Sequence, residues 1–297
     1  MKYVITGSLG NISKPLAQQL IKAGHTVTII SSKENKKAEI EALGAKAAIG
    51  SLGDVSFLTK TFTGADAVYT MIPPYWTASD WKKYIGDAGK KYADAIKASG
   101  VKYVVNLSSV GAHMPDGCGP VSGLYLAEQA LNTLTDSVNI KHLRPAYFYS
   151  NLYSNIGLIK GHGIIGGNYG ANTKLVITHT NDIAVVAAEE LLSLSFKGHS
   201  VRYIVSDERP VQDVASVLGK AIGKPELPWI DFSDQDSHGG MLGAGLSEEV
   251  AKNYVEMGKA IRDGLMFEDY YKNKTGFVLS KTKLEDFAKE FAHAYNV

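Results

Sequence analysis

The segment GSLGNIS, residues 7–13, decides the fold because it lies between a predicted strand and a predicted helix. The apolar run Lys2–Thr6 predicts a short buried strand, and the apolar positions within residues 12–23 recur at helical spacing. Gly7 permits a tight turn with positive φ, and Gly10 allows the backbone to approach an anion at the helix N-terminus. The segment therefore predicts a turn that binds a pyrophosphate.

The third position of this pattern is occupied by Ser13 rather than glycine. In a dinucleotide-binding turn this position lies where the helix packs closely on the strand, so a small residue is required, and serine is small enough. Pro15 falls in the first turn of the helix, where its missing N–H removes no hydrogen bond. The alternative is a strand, turn and helix with incidental glycines, but the pattern that follows favours a cofactor loop.

Strands and helices alternate along the first half of the chain, which predicts an α/β fold with a mainly parallel, Rossmann-type doubly wound sheet. In such a sheet the ligand lies beyond the carboxyl ends of the strands. The predicted strands are Lys2–Thr6, His25–Ile30, Lys46–Ile49, Ala67–Ile72, Val101–Leu107 and Ile140–Leu143.

After residue 150 the alternation becomes irregular, although no linker divides the chain. We expect residues 1–150 to form the Rossmann domain, completed by about 176–206. A smaller interleaved C-terminal α/β domain is then expected from residues 151–175 and 207–297. The stretch Ser233–Gly245 is polar and rich in glycine, which predicts a mobile loop.

Composition excludes several classes of function. The 31 basic and 30 acidic residues give a net charge of +1, so no concentrated basic field is available for nucleic acid. No apolar run approaches the roughly 20 residues that a membrane crossing needs. The single cysteine, Cys118, forms no internal disulfide, which is typical of the cytoplasm. The histidines show no metal-ligand spacing, and we expect no metal and a cytoplasmic location.

The end of the second strand indicates which dinucleotide is bound. An acidic residue there favours NAD, because it hydrogen-bonds the ribose diol. This chain has Ser31, Ser32 and Lys33 instead, and hydroxyls with a lysine suit a 2′-phosphate. NADP(H) is therefore preferred, with NAD(H) possible. The alternative is that Lys33 only begins a solvated helix.

Several segments in order resemble the NmrA-like family of the atypical short-chain dehydrogenase/reductase superfamily, and the resemblance extends over nearly the whole chain. It implies a Rossmann fold that binds NADP(H) or NAD(H). Its members are either reductases of quinones and related small molecules or regulators that sense the cofactor without catalysis. The segments are MKYVITGSLGNISKPLAQQL (1–20), AVYTMIPP (67–74), VKYVVNLSSVGA (101–112), HLRPAYFYSNL (142–152), THTNDIAVVAAEELL (178–192) and KLEDFAKEFAHAY (283–295).

The resemblance also implies positions for the cofactor. Ser31, Ser32 and Lys33 would face the adenosine ribose, and Ser108 would lie near the nicotinamide. The remaining implied residues are Gly7, Leu9, Gly10, Asn11 and Ile12 at the pyrophosphate, Met71, Ile72 and Pro73 beside the adenosine, and Pro145 and Tyr147 beside the nicotinamide.

The helix after the fifth strand lacks the Tyr-x-x-x-Lys dyad of classical members, because Tyr125 is followed four residues later by Gln129. Many NmrA-like proteins have a lysine in this segment, and Leu126 is expected to take its place. In the dyad the lysine lowers the pKa of the tyrosine. Its loss argues against alcohol oxidation more than against quinone reduction, since the cofactor supplies the hydride. Catalytic residues stay unassigned, with candidates Ser108, His113, Tyr147 and Tyr149.

Aromatic residues follow the fourth and sixth strands and predict a pocket for a planar acceptor. The predicted pocket residues are Tyr75, Trp76, Tyr147 and Tyr149. The alternative is that Phe148 is core and one of these tyrosines merely covers it. The sequence thus favours an NADPH-dependent reductase of a quinone or similar small acceptor. The rival is a non-catalytic sensor of NADP(H) and NAD(H) that binds a regulatory protein partner. We expect a monomer or a homodimer.

Overall fold

The computed structural model describes all 297 residues as a layered α/β molecule with twelve strands and twelve α-helices. The strands are β1 (Lys2–Ile5), β2 (Thr26–Ser31), β3 (Lys46–Ile49), β4 (Ala67–Thr70), β5 (Tyr103–Leu107), β6 (Asn139–Pro145), β7 (Tyr147–Phe148), β8 (Ile165–Gly167), β9 (Lys174–Thr178), β10 (His199–Ile204), β11 (Asp207–Pro210) and β12 (Trp229–Asp231). The helices are α1 (Ser13–Lys22), α2 (Lys37–Ala42), α3 (Val55–Phe62), α4 (Trp81–Ser99), α5 (Pro120–Asn132), α6 (Ile156–His162), α7 (Thr180–Ser193), α8 (Val211–Ala221), α9 (Asp234–Gly243), α10 (Glu248–Arg262), α11 (Glu268–Asn273) and α12 (Leu284–Asn296).

Seven parallel strands form the large sheet in the order β3-β2-β1-β4-β5-β6-β10. The predicted α/β doubly wound fold is confirmed by this order. The winding direction changes between β1 and β4, and a ligand binds at such a switch point beyond the strand ends. Because the loop that begins at Gly7 leaves β1 at this point, the fold brings the predicted cofactor loop to the switch point.

Helices cover both faces of the large sheet. On one face α3, α4 and α5 bury a cluster that includes Leu58, Tyr92 and Leu131. On the other face α1 and α7 bury a second cluster that includes Leu16 and Ile183. Strands of this kind are apolar on both sides because both sides are covered, and β4 is buried throughout its length.

The strands that follow residue 146 divide between the sheets. β10 pairs with β6 in the large sheet, whereas β9 pairs with β7 and β11 in a three-stranded sheet. β8 and β12 form a separate parallel pair. A third core cluster lies under these strands and includes residues of α8, α10 and α12. The division of the chain into two domains stays a prediction.

The expectation of a mobile loop at residues 233–245 is wrong, because most of this stretch is helix α9. The Ser233 hydroxyl accepts a hydrogen bond from the Asp236 amide at 3.0 Å and so caps the helix. Arg262 at the end of α10 pairs with Asp234 at 2.8 Å. The cap and the ion pair hold a glycine-rich helix in place. None of the helices combines the length and apolar character that a bilayer crossing requires.

Candidate functional site

The turn after β1 has the backbone that the glycine pattern predicts. Gly7 has φ +90°, and a Cβ there would lie 2.5 Å from the Ser13 Oγ and 2.9 Å from the Met71 Cγ. The Ser13 hydroxyl donates to the Thr6 carbonyl oxygen at 2.8 Å, so the start of α1 is fastened to the end of β1. This close approach explains both the glycine at position 7 and the small residue at position 13.

The same turn presents free backbone donors. The amides of Leu9, Asn11 and Ile12 donate no hydrogen bond within the chain, whereas the Gly10 amide donates to the Gly7 carbonyl oxygen at 3.1 Å. The first turn of α1 contains no acidic residue. Free amides and the positive end of a ten-residue helix are the groups that bind a phosphate, so the turn fits a dinucleotide pyrophosphate.

The end of β2 lies beside this turn. Ser31 is 3% exposed, and its hydroxyl lies 3.0 Å from the Ser8 hydroxyl and accepts from the Lys33 amide at 3.2 Å. Ser31 therefore fastens the two loops together, while Ser32 and Lys33 are exposed. Ser8, with φ +53°, was not predicted from the sequence as part of this site.

The exit of β4 is fixed to β1 and α4. The Met71 amide donates to the Thr6 hydroxyl at 2.8 Å, and the Tyr92 hydroxyl donates to the Met71 carbonyl oxygen at 2.7 Å. Ile72 packs on the core under α3 and α4, and Pro73 is half-buried. The structure thus brings Met71, Ile72 and Pro73 to the same sheet edge as the Gly7 turn.

Ser108, directly after β5, is part of a buried ion-pair network. Its hydroxyl donates to the Glu128 Oε1 at 2.5 Å, and both residues are at most 3% exposed. Arg144 binds the same carboxylate with two nitrogens, at 3.0 and 2.6 Å. A further Arg144 nitrogen binds Asp269 of α11 at 2.9 Å. Because the Ser108 proton is given to Glu128, the Ser108 oxygen is left to a ligand as an acceptor.

The register of α5 differs from the prediction for Leu126. Leu126 is 42% exposed and packs against Gly86 of α4, so it does not face Ser108. The face toward Ser108 carries Glu128, and the residue one turn earlier on that face is Leu124. The prediction that Leu126 takes the place of a catalytic lysine is therefore wrong. Since α5 contains no lysine at all, the dyad is still absent.

Two further candidates lie near this network. The Pro145 carbonyl oxygen accepts from the Val110 amide at 2.9 Å, which joins the exits of β5 and β6. His113 is half-buried, and its buried Nδ1 has no hydrogen-bond partner. Burial lowers the pKa of His113 below its ordinary value, opposed by the charge of Asp269, and the ring is therefore neutral at pH 7.

The tyrosines after β6 have different surroundings. Tyr149 is 1% exposed, its ring stacks on Phe287 of α12, and its hydroxyl donates to the Thr282 carbonyl oxygen at 3.3 Å. We therefore assign Tyr149 to the core, since its ring has no free surface for a ligand. The Tyr147 hydroxyl instead lies 3.1 Å from the hydroxyl of Tyr169.

The loop after β4 contributes exposed rings, since Tyr75 and Trp76 are each 50% exposed. Trp76 stacks on Tyr254 of α10, with ring centroids 6.2 Å apart, and the Trp81 ring meets Tyr254 edge-on at 5.5 Å. Tyr254 also lies near Tyr169, because the side chain of the adjacent Asn168 donates to the Val255 carbonyl oxygen at 2.9 Å. Burial, with a smaller contribution from the Tyr169 hydroxyl, raises the pKa of Tyr254 to about 12. We call the aromatic cluster the set Trp76, Trp81, Tyr147, Tyr169, Trp229 and Tyr254.

Four of the six rings in the aromatic cluster were not predicted from the sequence as part of the site: Trp81, Tyr169, Trp229 and Tyr254. Tyr169 follows β8, Trp229 begins β12 and Tyr254 lies in α10, all far along the chain from Trp76. No local motif marks these rings, and only the fold brings them together. No group of three His, Cys, Asp or Glu side chains is arranged as a metal site.

The chain is similar to proteins that use nicotinamide cofactors. Residues 7–137 match a family model described as NAD(P)H-binding. An NAD(P)H azoreductase of Xenophilus azovorans is 25% identical over 261 residues, which cover 86% of this chain and 85% of the relative. The predicted binding of NAD(P)H is confirmed by the family match.

Two solved structures share the fold over nearly the whole chain. The NADPH-dependent quinone oxidoreductase of Escherichia coli, crystallised with NADPH, is 20% identical with a TM-score of 0.82, and the match covers 97% of this chain and 99% of that one. The triphenylmethane reductase of Citrobacter sp., crystallised with NADP(H), is 19% identical with a TM-score of 0.80, covering 98% and 100%. Residues 7–137, which carry the Gly7 turn and the strand ends described above, therefore match the NAD(P)H-binding family model, within a Rossmann fold that extends over the chain.

Proposed function

We propose that this protein is an NADPH-dependent reductase of a quinone or a similar small planar acceptor. The observation that carries the proposal is the aromatic cluster, whose Trp76 and Tyr147 follow β4 and β6 at the carboxyl edge of the sheet, where the cofactor turn also leaves β1. The exposed Trp76 ring, stacked on Tyr254, offers an apolar face to a planar molecule. The named activities of the azoreductase, the quinone oxidoreductase and the triphenylmethane reductase support an acceptor of this shape.

The chain's residues have separable roles in this proposal. The free amides of Leu9, Asn11 and Ile12 hold the pyrophosphate, and Ser32 and Lys33 face the ribose that carries the 2′-phosphate. NAD(P)H supplies the hydride when bound. The Ser108 oxygen accepts a hydrogen bond at the nicotinamide end, because its own proton is given to Glu128.

The absence of a Tyr-x-x-x-Lys dyad fits this reaction. Without a lysine on α5, no cation lowers the pKa of a tyrosine beside Ser108, and an alcohol substrate has no base to take its proton. A quinone needs no such base, since the reduction takes up a proton rather than releasing one from the substrate. The arrangement therefore favours reduction of an activated acceptor over alcohol oxidation.

The test is NADPH consumption with a panel of benzoquinones, naphthoquinones and azo dyes. We expect turnover with the wild-type protein, and for Tyr254→Ala we expect the KM for the acceptor to rise about tenfold because the stacked ring is lost. The NADPH Kd should change less than about twofold. Tyr103→Ala is the matched control, since Tyr103 packs on Phe196 at the amino end of β5, at the opposite sheet edge.

Two results would contradict the proposal. Equal effects of Tyr254→Ala and Tyr103→Ala on the KM for the acceptor would show that the aromatic cluster is not the acceptor site. Tight NADPH binding with no turnover of any acceptor would instead favour the cofactor-sensing regulator that binds a protein partner.

A further inference from the structure

The hydroxyl groups of Tyr147 and Tyr169 form an isolated pair within the aromatic cluster. Their oxygens are 3.1 Å apart, and neither makes another hydrogen bond in the chain. The rings meet edge to face with centroids 5.8 Å apart, and Tyr147 is 7% exposed. Tyr147 lies in the short strand β7, and the Tyr169 ring packs so closely on Gly167 that a Cβ there would lie 3.2 Å from it.

The pair contains one proton more than its single hydrogen bond uses. Burial raises the pKa of both phenols above the ordinary value, so both keep their protons at neutral pH. In a bond between two hydroxyls one proton is donated to the other oxygen, and the second proton is left without an acceptor. A buried donor without an acceptor is unfavourable, and a ligand oxygen at this position relieves it.

A second donor beside the pair is also without an acceptor. The Trp229 ring lies 6.0 Å from the Tyr169 ring, and its indole nitrogen is buried with no hydrogen-bond partner. The indole nitrogen of Trp81, next to Tyr254, is in the same situation. An indole nitrogen only donates, so the cluster combines apolar ring faces with unused donors.

On these observations we infer that the aromatic cluster binds acceptors that carry a carbonyl oxygen, and that Tyr147 and Tyr169 donate the hydrogen bond to that oxygen. The inference rests on the proposed function and deepens it, because it selects quinones over hydrocarbon or purely cationic planar molecules. Tyr169 is then a specificity-determining residue that lies outside every sequence motif of the cofactor turn.

The phenols act as hydrogen-bond donors and not as the source of the proton. Per quinone, the reduction takes one hydride from bound NADPH and one proton from solvent, and it yields the hydroquinone and NADP⁺. Because their pKa values are raised, the phenols keep their protons while the acceptor oxygen gains negative charge. Their contribution is thus stronger for the charged oxygen than for the quinone.

The experiment compares two ligands of the same shape, 1,4-naphthoquinone and naphthalene. Their Kd values are measured by quenching of tryptophan fluorescence in the presence of NADP⁺, where no reduction takes place. The variants are Tyr147→Phe, Tyr169→Phe and the double variant, with Tyr103→Phe as the matched control. We expect the double variant to bind naphthoquinone at least tenfold more weakly and naphthalene within twofold of wild type. The Kd for naphthoquinone in each single variant should lie between the values of the wild type and the double variant, since each single variant retains one hydroxyl.

The inference is overturned if the double variant binds naphthoquinone as wild type does, or if it loses both ligands equally, which would be a packing effect. Turnover with NADPH is measured separately. Loss of selective quinone binding in the double variant, without turnover in the wild type, would support the inference and contradict the reductase. Turnover in the wild type, with quinone binding unchanged in every variant, would support the reductase and contradict the inference.

Discussion

The cofactor turn and the aromatic cluster lie at the same sheet edge but are built in different ways. The turn consists of seven consecutive residues, 7–13, and its geometry depends on contacts with the adjacent strand ends. The aromatic cluster is assembled from five separate segments, at positions 76–81, 147, 169, 229 and 254. A phosphate site built from the backbone can therefore be proposed from a short motif, while the proposed acceptor site, which is made of side chains, depends on the whole fold.

Because of this difference, we expect the two regions to tolerate different amino-acid substitutions. In the proposed pyrophosphate site the backbone amides would make the contacts, so we expect side-chain identity to have little effect on cofactor binding except at Gly7, Gly10 and Ser13. In the cluster, each ring is an independent contribution, so substitution should change the choice of acceptor gradually. The polar network around Arg144 belongs to neither region, because it joins Ser108 after β5 and Glu128 of α5 to Asp269 of α11.

The largest effect is expected from breaking the buried Arg144 network. Arg144→Met leaves the Glu128 carboxylate buried without its bidentate partner, and we expect the free energy of unfolding to fall by about 3–5 kcal/mol. Urea denaturation followed by circular dichroism measures it. The control is Arg202→Met, whose pairs with Glu189 and Glu190 involve a side chain that is 37% exposed, with an expected loss below about 1 kcal/mol. Equal losses would mean that the buried Arg144 network contributes no more to the free energy of unfolding than an exposed ion pair does.

The second largest effect is expected from a substitution in the cofactor turn, which should weaken NADPH binding without changing the aromatic cluster. Gly10→Val places a branched side chain on the exposed turn, where a Cβ already lies 3.1 Å from the Gly7 carbonyl oxygen. We expect the Kd for NADPH to rise about 100-fold, which is about 2.7 kcal/mol, because the pyrophosphate can no longer approach the amides. Fluorescence titration of NADPH measures it.

Gly157→Ala is the control for the glycine substitution, since nothing lies within 4 Å of a Cβ at that position. Its NADPH affinity should equal that of the wild type. An unchanged Kd in Gly10→Val would show that the turn does not bind the pyrophosphate. A loss of acceptor binding without a loss of NADPH binding would reverse the roles assigned to the two regions.

Much of the cofactor region was predictable because its signals are local. The bounds of β3 agree with the predicted Lys46–Ile49, and the helix that follows it begins where Asp54 accepts a hydrogen bond from the Phe57 amide at 3.0 Å. Alternating strands and helices dictate a parallel sheet, and a parallel sheet dictates where ligands bind. The packing of Ser13 on β1 follows from the same rule.

The aromatic cluster, which is the proposed acceptor region, was only partly predictable because its residues meet through tertiary contacts. Trp76 and Tyr147 follow strands whose ends the fold aligns, so they could be named from the sequence. Tyr254 lies on an amphipathic helix, and its spacing does not distinguish a ring that faces a site from one that faces the core. The prediction of which α5 residue faces Ser108 was wrong for a related reason, since only the contact between Ser108 and Glu128 shows which face of the helix is inward.

The smallest effect concerns the choice between NADPH and NADH. Lys33 is exposed and takes part in no ion pair, whereas Lys36 pairs with Glu39 at 2.8 Å. We expect Lys33→Ala to reduce the ratio of NADPH to NADH affinity about fivefold, because an exposed charge contributes about 1 kcal/mol to binding a phosphate. The Lys36→Ala control should leave the ratio within twofold. Since exposed charges are screened, the effect of Lys33 should shrink between 0.02 and about 0.5 M salt. If the ratio of NADPH to NADH affinity is the same in both variants at low salt, the preference for the 2′-phosphate would be assigned to the serine hydroxyls at the end of β2. The cofactor site would then resemble the aromatic cluster, because both would depend on neutral hydrogen-bond donors.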